Sequence, residues 1–112
     1  IGAIELRPKR KFYDYRAKYK KSAKTLHIMP APISKNKYKE VLKISEKANK
    51  ILKCRGIVRC DFRFYKNKFF LLEVNTQPGM TSLSLVPEIA KHSNISFVKL
   101  VKWMVNDSGI NR

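Results

Sequence analysis

From Ser34 onward, Tyr38, Val41, Leu42, Ser45, Ala48, Ile51 and Leu52 recur three or four residues apart with lysines between them. That spacing predicts an amphipathic surface helix over 34–54. Lys50, Lys53 and Arg55 stand where the helix dipole is negative, and Gly56 is available as a left-handed cap. Phe97, Leu100, Val101, Met104 and Val105 form a second helical stripe, with Ser96 positioned to cap its start and Ser108-Gly109 to stop it. Trp103 lies beside that stripe and reads as structural. Between the helices the period changes to two: IVRCDFRFY and FFLLEVN are runs of strand-forming residues joined by the polar turn Lys66-Asn67-Lys68. The chain opens on the apolar run IGAIEL, which predicts another strand. LHIMPAPI predicts a short extended segment, because residues preceding Pro30 and Pro32 are pushed away from helical angles.

Burying the apolar side chains of a hairpin on one face fixes its register, since a slip of one residue turns every side chain around. Pairing Tyr65 with Phe69 across a three-residue turn sets Phe64 against Phe70, Phe62 against Leu72 and Cys60 against Val74 as an apolar face. The same register sets Asp61 against Glu73 and Arg59 against Asn75 on the other face. Two carboxylates opposed across a strand pair repel unless something positive lies between them. A bound cation is one answer: Asp, Glu and Asn offer only oxygen, the preference of Mg2+ or Mn2+, with phosphate oxygens completing the shell. Neutralisation by Arg59 and Arg63 in an ordinary salt-bridge network is the other. The pattern leaves both open.

Two further segments carry candidate chemistry. RPKRKFYDYRAKYKKSAKT is dense in charge and lacks apolar periodicity, which marks it as a candidate functional loop. TQPGMTSLSLVPEIA follows Asn75 at once. Within it Gly79 admits close approach of backbone to a ligand. Ser84 can cap a short helix running through Pro87 to about Ala90, whose free N–H groups would suit a carboxylate or phosphate. A plain connecting turn is the alternative.

Charge and length then narrow the classes. The 112 residues include 25 Lys and Arg against 8 Asp and Glu, a net charge of +17. Residues 1–56 hold 17 basic and 4 acidic groups, and residues 57–112 hold 8 and 4. Such a surplus first suggests a nucleic-acid-binding module, with Phe12, Tyr13, Tyr15 and Tyr19 stacking on bases between phosphate-binding cations. That reading leaves the opposition of Asp61 and Glu73 without a cause. A hydrophobic content of 44% excludes a disordered basic tail. The chain is long enough for one domain or part of one, and its opening on Ile1 inside an apolar run suggests a fragment. No run approaches the roughly 20 apolar residues of a membrane span, and no signal-peptide core precedes the first strand. Cys54 and Cys60 show neither a disulfide framework nor metal-ligand spacing and read as buried thiols of a reducing compartment. His27 and His92, far apart in sequence, read as surface or packing residues. A cytoplasmic protein without a membrane partner is the expectation.

FYDYRAKY, the Arg-Cys-Asp strand, LLEVNTQPGMT and SLVPEIA, in this order and spacing, resemble the C-terminal part of the D-alanine–D-alanine ligase family of ATP-grasp enzymes. The resemblance runs from IELRPKRKFYDY to the last helix. It implies an α+β fold, the ATP-grasp C-terminal subdomain, with a mainly antiparallel sheet and flanking helices. Residues 1–112 would then be the C-terminal portion of a catalytic domain whose N-terminal and central ATP-binding parts are absent. By the resemblance, Asp61, Glu73 and Asn75 ligate two Mg2+ or Mn2+ ions that bridge the phosphates of ATP. Arg59 and the backbone amide of Gly79 match the groups that stabilise the tetrahedral oxyanion. Ser84 and the amide of Leu85 match those that hold the carboxylate of the second D-alanine. Lys18 matches a phosphate-contacting lysine, and Tyr19 a tyrosine on a mobile loop that closes over the site, with Tyr13 in the same motif.

The implied reaction joins two D-alanine molecules through an acyl phosphate, for the peptidoglycan cell wall. The implied partners are ATP, D-alanine and the remainder of the ligase chain, with a homodimer allowed for the full enzyme; nucleic acid is disfavoured. An inactive remnant of the ligase is a further alternative to the nucleic-acid module. The sequence departs from the family, which usually has glycine at Lys53, near Ser22-Ala23 and at Asn94. None of these is a ligand position, so the departures bear on turns and stability.

Overall fold

The computed structural model describes residues 1–7, 26–81 and 83–109. Along them run β1 (Glu5–Arg7), β2 (Leu26–Ile28), α1 (Lys35–Ile51), β3 (Arg59–Tyr65), β4 (Lys68–Asn75), α2 (Leu85–His92) and α3 (Phe97–Asp107). β1 pairs antiparallel with β2, and β3 antiparallel with β4. The expected α+β arrangement of antiparallel strands and flanking helices is therefore present.

Of the opening run IGAIEL only the end is strand. Its first residues are tied to other elements: the Ala3 N–H donates to the Tyr38 hydroxyl at 2.9 Å, and the Ala31 N–H donates to the Ala3 carbonyl at 3.0 Å. A Cβ on Gly2 would lie 2.9 Å from Met29 Cε and 3.2 Å from Ile89 Cγ2. This segment therefore runs close against Met29, Tyr38 of α1 and Ile89 of α2, where a larger residue would require the Met29 side chain to shift. Among the described residues no helix is long and apolar enough to cross a membrane.

Ser34 caps α1, its hydroxyl accepting from the Lys37 N–H at 3.2 Å. Val41 is buried, but the end of the same stripe is bare, with Ile51 67% exposed. The helix also stops earlier than a Gly56 cap would allow. Lys53, not Gly56, takes the left-handed angle that ends it, with φ 54°. The Lys53 N–H donates to Lys50 O at 3.1 Å and the Cys54 N–H to Asn49 O at 3.0 Å, the paired bonds of a Schellman cap. α2 ends in the same way around Asn94, φ 63°, with Asn94 N–H to Lys91 O at 3.0 Å and Ile95 N–H to Ala90 O at 2.9 Å. Both positions are among those where glycine was expected from the family resemblance; Ser22-Ala23, the third, lies outside the described residues.

Ser96 caps α3 as expected, accepting from the Lys99 N–H at 3.2 Å. Leu100 meets Val86 and Ala90 in the core, and Ile57, Met80, Ile95 and Met104 pack around them. The predicted stripe is narrower than its sequence: Phe97, Val105 and the neighbouring Trp103 are exposed. Among the described residues, α2 is the most enclosed element, with Leu85, Val86, Ile89 and Ala90 all buried.

A side chain in the left-handed region costs roughly 1 kcal/mol, less for Asn, whose short amide tolerates it. Lys53→Gly is therefore expected to stabilise the protein by about 0.5–1 kcal/mol, and Asn94→Gly by less. Chemical denaturation of both variants checks the direction and the order.

Candidate active site

The β3–β4 hairpin turns on two residues rather than three. Lys66 and Asn67 have φ 47° and 63°, the paired left-handed angles of a tight hairpin turn whose twist matches the strands. Tyr65 therefore pairs with Lys68, Phe64 with Phe69, Arg63 with Phe70 and Phe62 with Leu71. This corrects the expected pairings of Tyr65 with Phe69, Phe64 with Phe70 and Phe62 with Leu72. Between Asp61 and Phe62 the register shifts by one, and from there Asp61 faces Glu73, Cys60 faces Val74 and Arg59 faces Asn75 as expected. Leu72 is the extra residue of the bulge and is 66% exposed.

The two ends of the hairpin consequently differ. Near the tip Phe69 stacks edge-on to Phe62, with centroids 5.9 Å apart, and lies 4.6 Å from Phe64. Phe70 falls on the acidic face instead of the apolar one and is 48% exposed. Towards the base, Cys60 stands on the opposite face from the acids, near Ser45 of α1. Burial pushes the Cys60 thiol up from its ordinary value of 9.0; nearby Asp61 and Cys54 add to the rise, and the Ser45 side chain opposes it. Both cysteines are half-buried rather than fully buried.

On the acidic face, Arg59 grips Asp61 with both arms of its fork: Nε to Oδ1 at 2.8 Å and Nη2 to Oδ2 at 3.0 Å. The salt-bridge answer to the opposed acids is thus half realised. No ion pair joins Arg63 or Glu73 to another described residue. Asn75 Oδ1 accepts from the Gln77 N–H at 2.9 Å, which starts the following loop with an Asx turn. Among the described residues no three His, Cys, Asp or Glu side chains form a ready-made cation cluster. The donor set is two opposed carboxylates with an amide oxygen two residues on. These hard oxygens fit a Mg2+ or Mn2+ ion that draws its other ligands from phosphate, with Arg59 as the competitor for Asp61.

The loop leading to α2 is held by its hydroxyls. Ser84 occupies the N-cap position of α2, but its side chain caps nothing, contrary to expectation. Its Oγ accepts from the Thr81 N–H at 2.9 Å and lies 2.8 Å from Thr81 Oγ1, while Thr81 Oγ1 accepts from the Leu83 N–H at 3.3 Å. A Cβ on Gly79 would stand 2.8 Å from Ser84 Oγ. Glycine at 79 therefore leaves room for the Ser84 hydroxyl, and Gly79 and Ser84, five residues apart, share one pocket of space. Leu85 is buried at the start of α2.

The structure thus brings Arg59, Asp61, Glu73 and Asn75 together on one face of the hairpin and Gly79 with Ser84 in the adjoining loop. Lys18 and Tyr19, with Tyr13, lie outside the described residues. Sequence reasoning passed over Thr81, although its spacing of three from Ser84 is a hydroxyl-turn signal. It also missed the contact between His27 and Glu88, 2.6 Å apart and 61 residues distant, for which no local pattern exists.

Comparison with known proteins agrees with this architecture. The chain matches the family model "D-ala D-ala ligase C-terminus" over residues 1–106. It is 59% identical over 112 residues to the D-alanine–D-alanine ligase of Pelagibacter ubique, covering all of this chain and 37% of the relative. It is 48% identical over 106 residues to that of Beijerinckia indica, covering 90% of this chain and 34% of the relative. The solved D-alanine–D-alanine ligase of Bacillus anthracis superposes with a TM-score of 0.75 at 33% identity, over 93% of this chain and 34% of that one. A second structure of that enzyme, complexed with ATP, gives 0.70 at 30% identity, over 74% and 29%. The chain thus spans little more than a third of the length of these relatives.

Fold and hairpin together are those of the C-terminal part of ATP-grasp ligases. The chain belongs to the D-alanine–D-alanine ligase family, of which it carries the C-terminal region.

Two outcomes follow from the geometry of the loop and of the thiol. Gly79→Ala drives the Ser84 hydroxyl from its place and breaks two neutral hydrogen bonds, costing about 1 kcal/mol or more. In a Ser84→Ala background those bonds are already gone, so the same change is expected to cost much less; denaturation of the double-mutant cycle measures the difference. The Cys60 thiolate forms at higher pH in the folded protein than in the unfolded chain. The stability this contributes is full below the ordinary thiol pKa and is lost as pH rises through the folded value. Iodoacetamide is accordingly expected to alkylate Cys60 more slowly in the native protein than in denaturant at pH 8, by mass-spectrometric counting.

Proposed function

We propose that this chain supplies the metal, phosphate and acceptor side of an ATP-dependent D-alanine–D-alanine ligase site, as the C-terminal portion of an ATP-grasp catalytic domain. The carrying observation is the opposition of Asp61 and Glu73, with Asn75 beside them, at the head of the Gly79–Ser84 loop. Membership of the ligase family gives that cluster its chemistry. The ATP complex of the Bacillus anthracis enzyme supports ATP as co-substrate. No comparison favours a nucleic-acid module.

In this reading the carboxylate of the first D-alanine attacks the γ-phosphorus of ATP and ADP leaves. The amine of the second D-alanine then attacks the acyl phosphate carbonyl, and phosphate is expelled. Two Mg2+ or Mn2+ ions held by Asp61, Glu73 and Asn75 would supply positive charge to the phosphate oxygens. Arg59 has two tasks. Paired with Asp61 it offsets the charge of the strand face, and released from Asp61 its guanidinium would be available to the tetrahedral oxyanion together with the Gly79 amide. The Ser84 oxygen is already held in place by Thr81, so the side chain would meet the acceptor carboxylate without first losing rotamer freedom. The Leu85 amide would be the second donor to that carboxylate. The family reading gives Lys18 to the phosphates and Tyr19 to closure over the substrates. Action in the cytoplasm on peptidoglycan precursors, with a homodimeric full-length enzyme, completes the proposal.

In the intact protein, ADP release is expected to require both D-alanine and Mg2+, and Glu73→Gln is expected to lower kcat by about 100-fold or more. Glu73 is exposed, so the variant should keep its thermal midpoint. The 112-residue chain alone is expected to release no ADP. Turnover by that chain alone would overturn the division of the site, and ADP release indifferent to D-alanine would overturn the ligase reading.

A further inference from the structure

His27 and Glu88 form the one side-chain hydrogen bond between β2 and α2 among the described residues, His27 Nδ1 to Glu88 Oε1 at 2.6 Å. The two side chains are 27% and 38% exposed, so the pair is only partly screened by water. α2 is a short helix held at its far end by the C-cap Ser93, whose hydroxyl donates to the Ile1 carbonyl at 3.0 Å, and otherwise by apolar packing: Leu85, Val86, Ile89 and Ala90 are buried, and Ile89 approaches Gly2. Apolar packing fixes how near a helix lies to its neighbours but constrains its rotation about its own axis weakly, because dispersion contacts have little direction. A hydrogen bond is directional. Glu88 lies four residues after Ser84, one turn along the same edge of the helix. Holding Glu88 therefore sets the angle at which Ser84 and the Leu85 amide face the loop.

We propose that His27 is a positioning residue for the acceptor end of the site, acting through Glu88 on the orientation of α2. The proposal rests on the ligase reading given above, which assigns the acceptor carboxylate to Ser84 and Leu85. His27 touches no substrate. A carboxylate only accepts hydrogen bonds, so the bond to Glu88 requires a proton on His27 Nδ1. The acid is also well placed in the first turn of α2, where the helix dipole favours negative charge. A misaligned α2 would weaken the hold on the second D-alanine while leaving the ATP side, built on the β3–β4 hairpin, undisturbed.

Steady-state kinetics of the intact protein carrying His27→Ala, Glu88→Ala, both changes, or Glu88→Gln tests this. Each alanine variant is expected to raise KM for the acceptor D-alanine by about tenfold, with KM for ATP and kcat within about twofold of wild type. The double variant should be no worse than the singles, and Glu88→Gln, whose amide oxygen still accepts from Nδ1, should stay close to wild type. Hydrogen exchange gives a second measurement: the helix-bonded amides of residues 88–91 should exchange faster in His27→Ala while those of α3 do not change. An unchanged acceptor KM with unchanged exchange at 88–91 would overturn the proposal. So would a parallel loss in all constants accompanied by a fall in thermal midpoint, which would make the pair a general structural contact. Turnover of the wild-type protein tests the ligase reading by itself, and the ratio of variant to wild type tests His27, so the two failures are distinguishable.

Discussion

The bulge at Leu72 decides which side chains share a face at the base of the β3–β4 hairpin. A two-residue turn at Lys66-Asn67, continued without interruption, would carry Glu73 opposite Cys60 and leave Asp61 facing Leu72. One extra residue in β4 returns Glu73 to the Asp61 face and Asn75 to the Arg59 face. The hairpin therefore has two regions with different tasks. Beyond the bulge, paired phenylalanines close the tip; before it, oxygen donors line up beside the loop that carries Gly79 and Ser84. A bulge that re-aims side chains next to a site is a known use of the feature, and here it costs the burial of Leu72.

Opposed carboxylates are an unfavourable arrangement that must be answered by positive charge. On this face the answer is asymmetric: Arg59 takes Asp61 with two short bonds, and Glu73 has no ion-pair partner among the described residues. The net charge of +17 thus has little to do with the site itself, where a single cation does the balancing. The lysines of α1 are ordinary solvated residues of a surface helix.

The helices around the site are ended by hydrogen-bonding patterns rather than by the residues usually chosen for them. Lys53 and Asn94 accept the left-handed angle because the two backbone bonds of each cap outweigh the steric cost of a side chain there. Ser84 shows the opposite case. It stands at an N-cap position yet gives its hydroxyl to Thr81, leaving the first turn of α2 uncapped by a side chain. The first turn of α2 thus forgoes a side-chain cap, while the apolar face of α2 and the His27–Glu88 contact hold the helix from behind.

Much of this was legible along the chain because it depends on local periodicity. Helical spacing located α1 and α3 and their serine caps, and alternation located the hairpin and the opposition of Asp61 and Glu73. The order EVNTQPGMT then SLVPE carried the family. What the sequence could not determine were the features that arise when distant or equally plausible local choices compete. A two-residue turn with a bulge and a three-residue turn without one give the same pairing at the base of the hairpin, so only the backbone decides which phenylalanines meet. Ser84 could cap α2 or bond Thr81, and the space left by Gly79 selects the latter. Lys53 and Gly56 could each end α1, and the earlier pair of carbonyls to find donors wins. The contact of His27 with Glu88 has no signature at all, because it exists only once β2 and α2 have been brought side by side by the packing of their apolar neighbours.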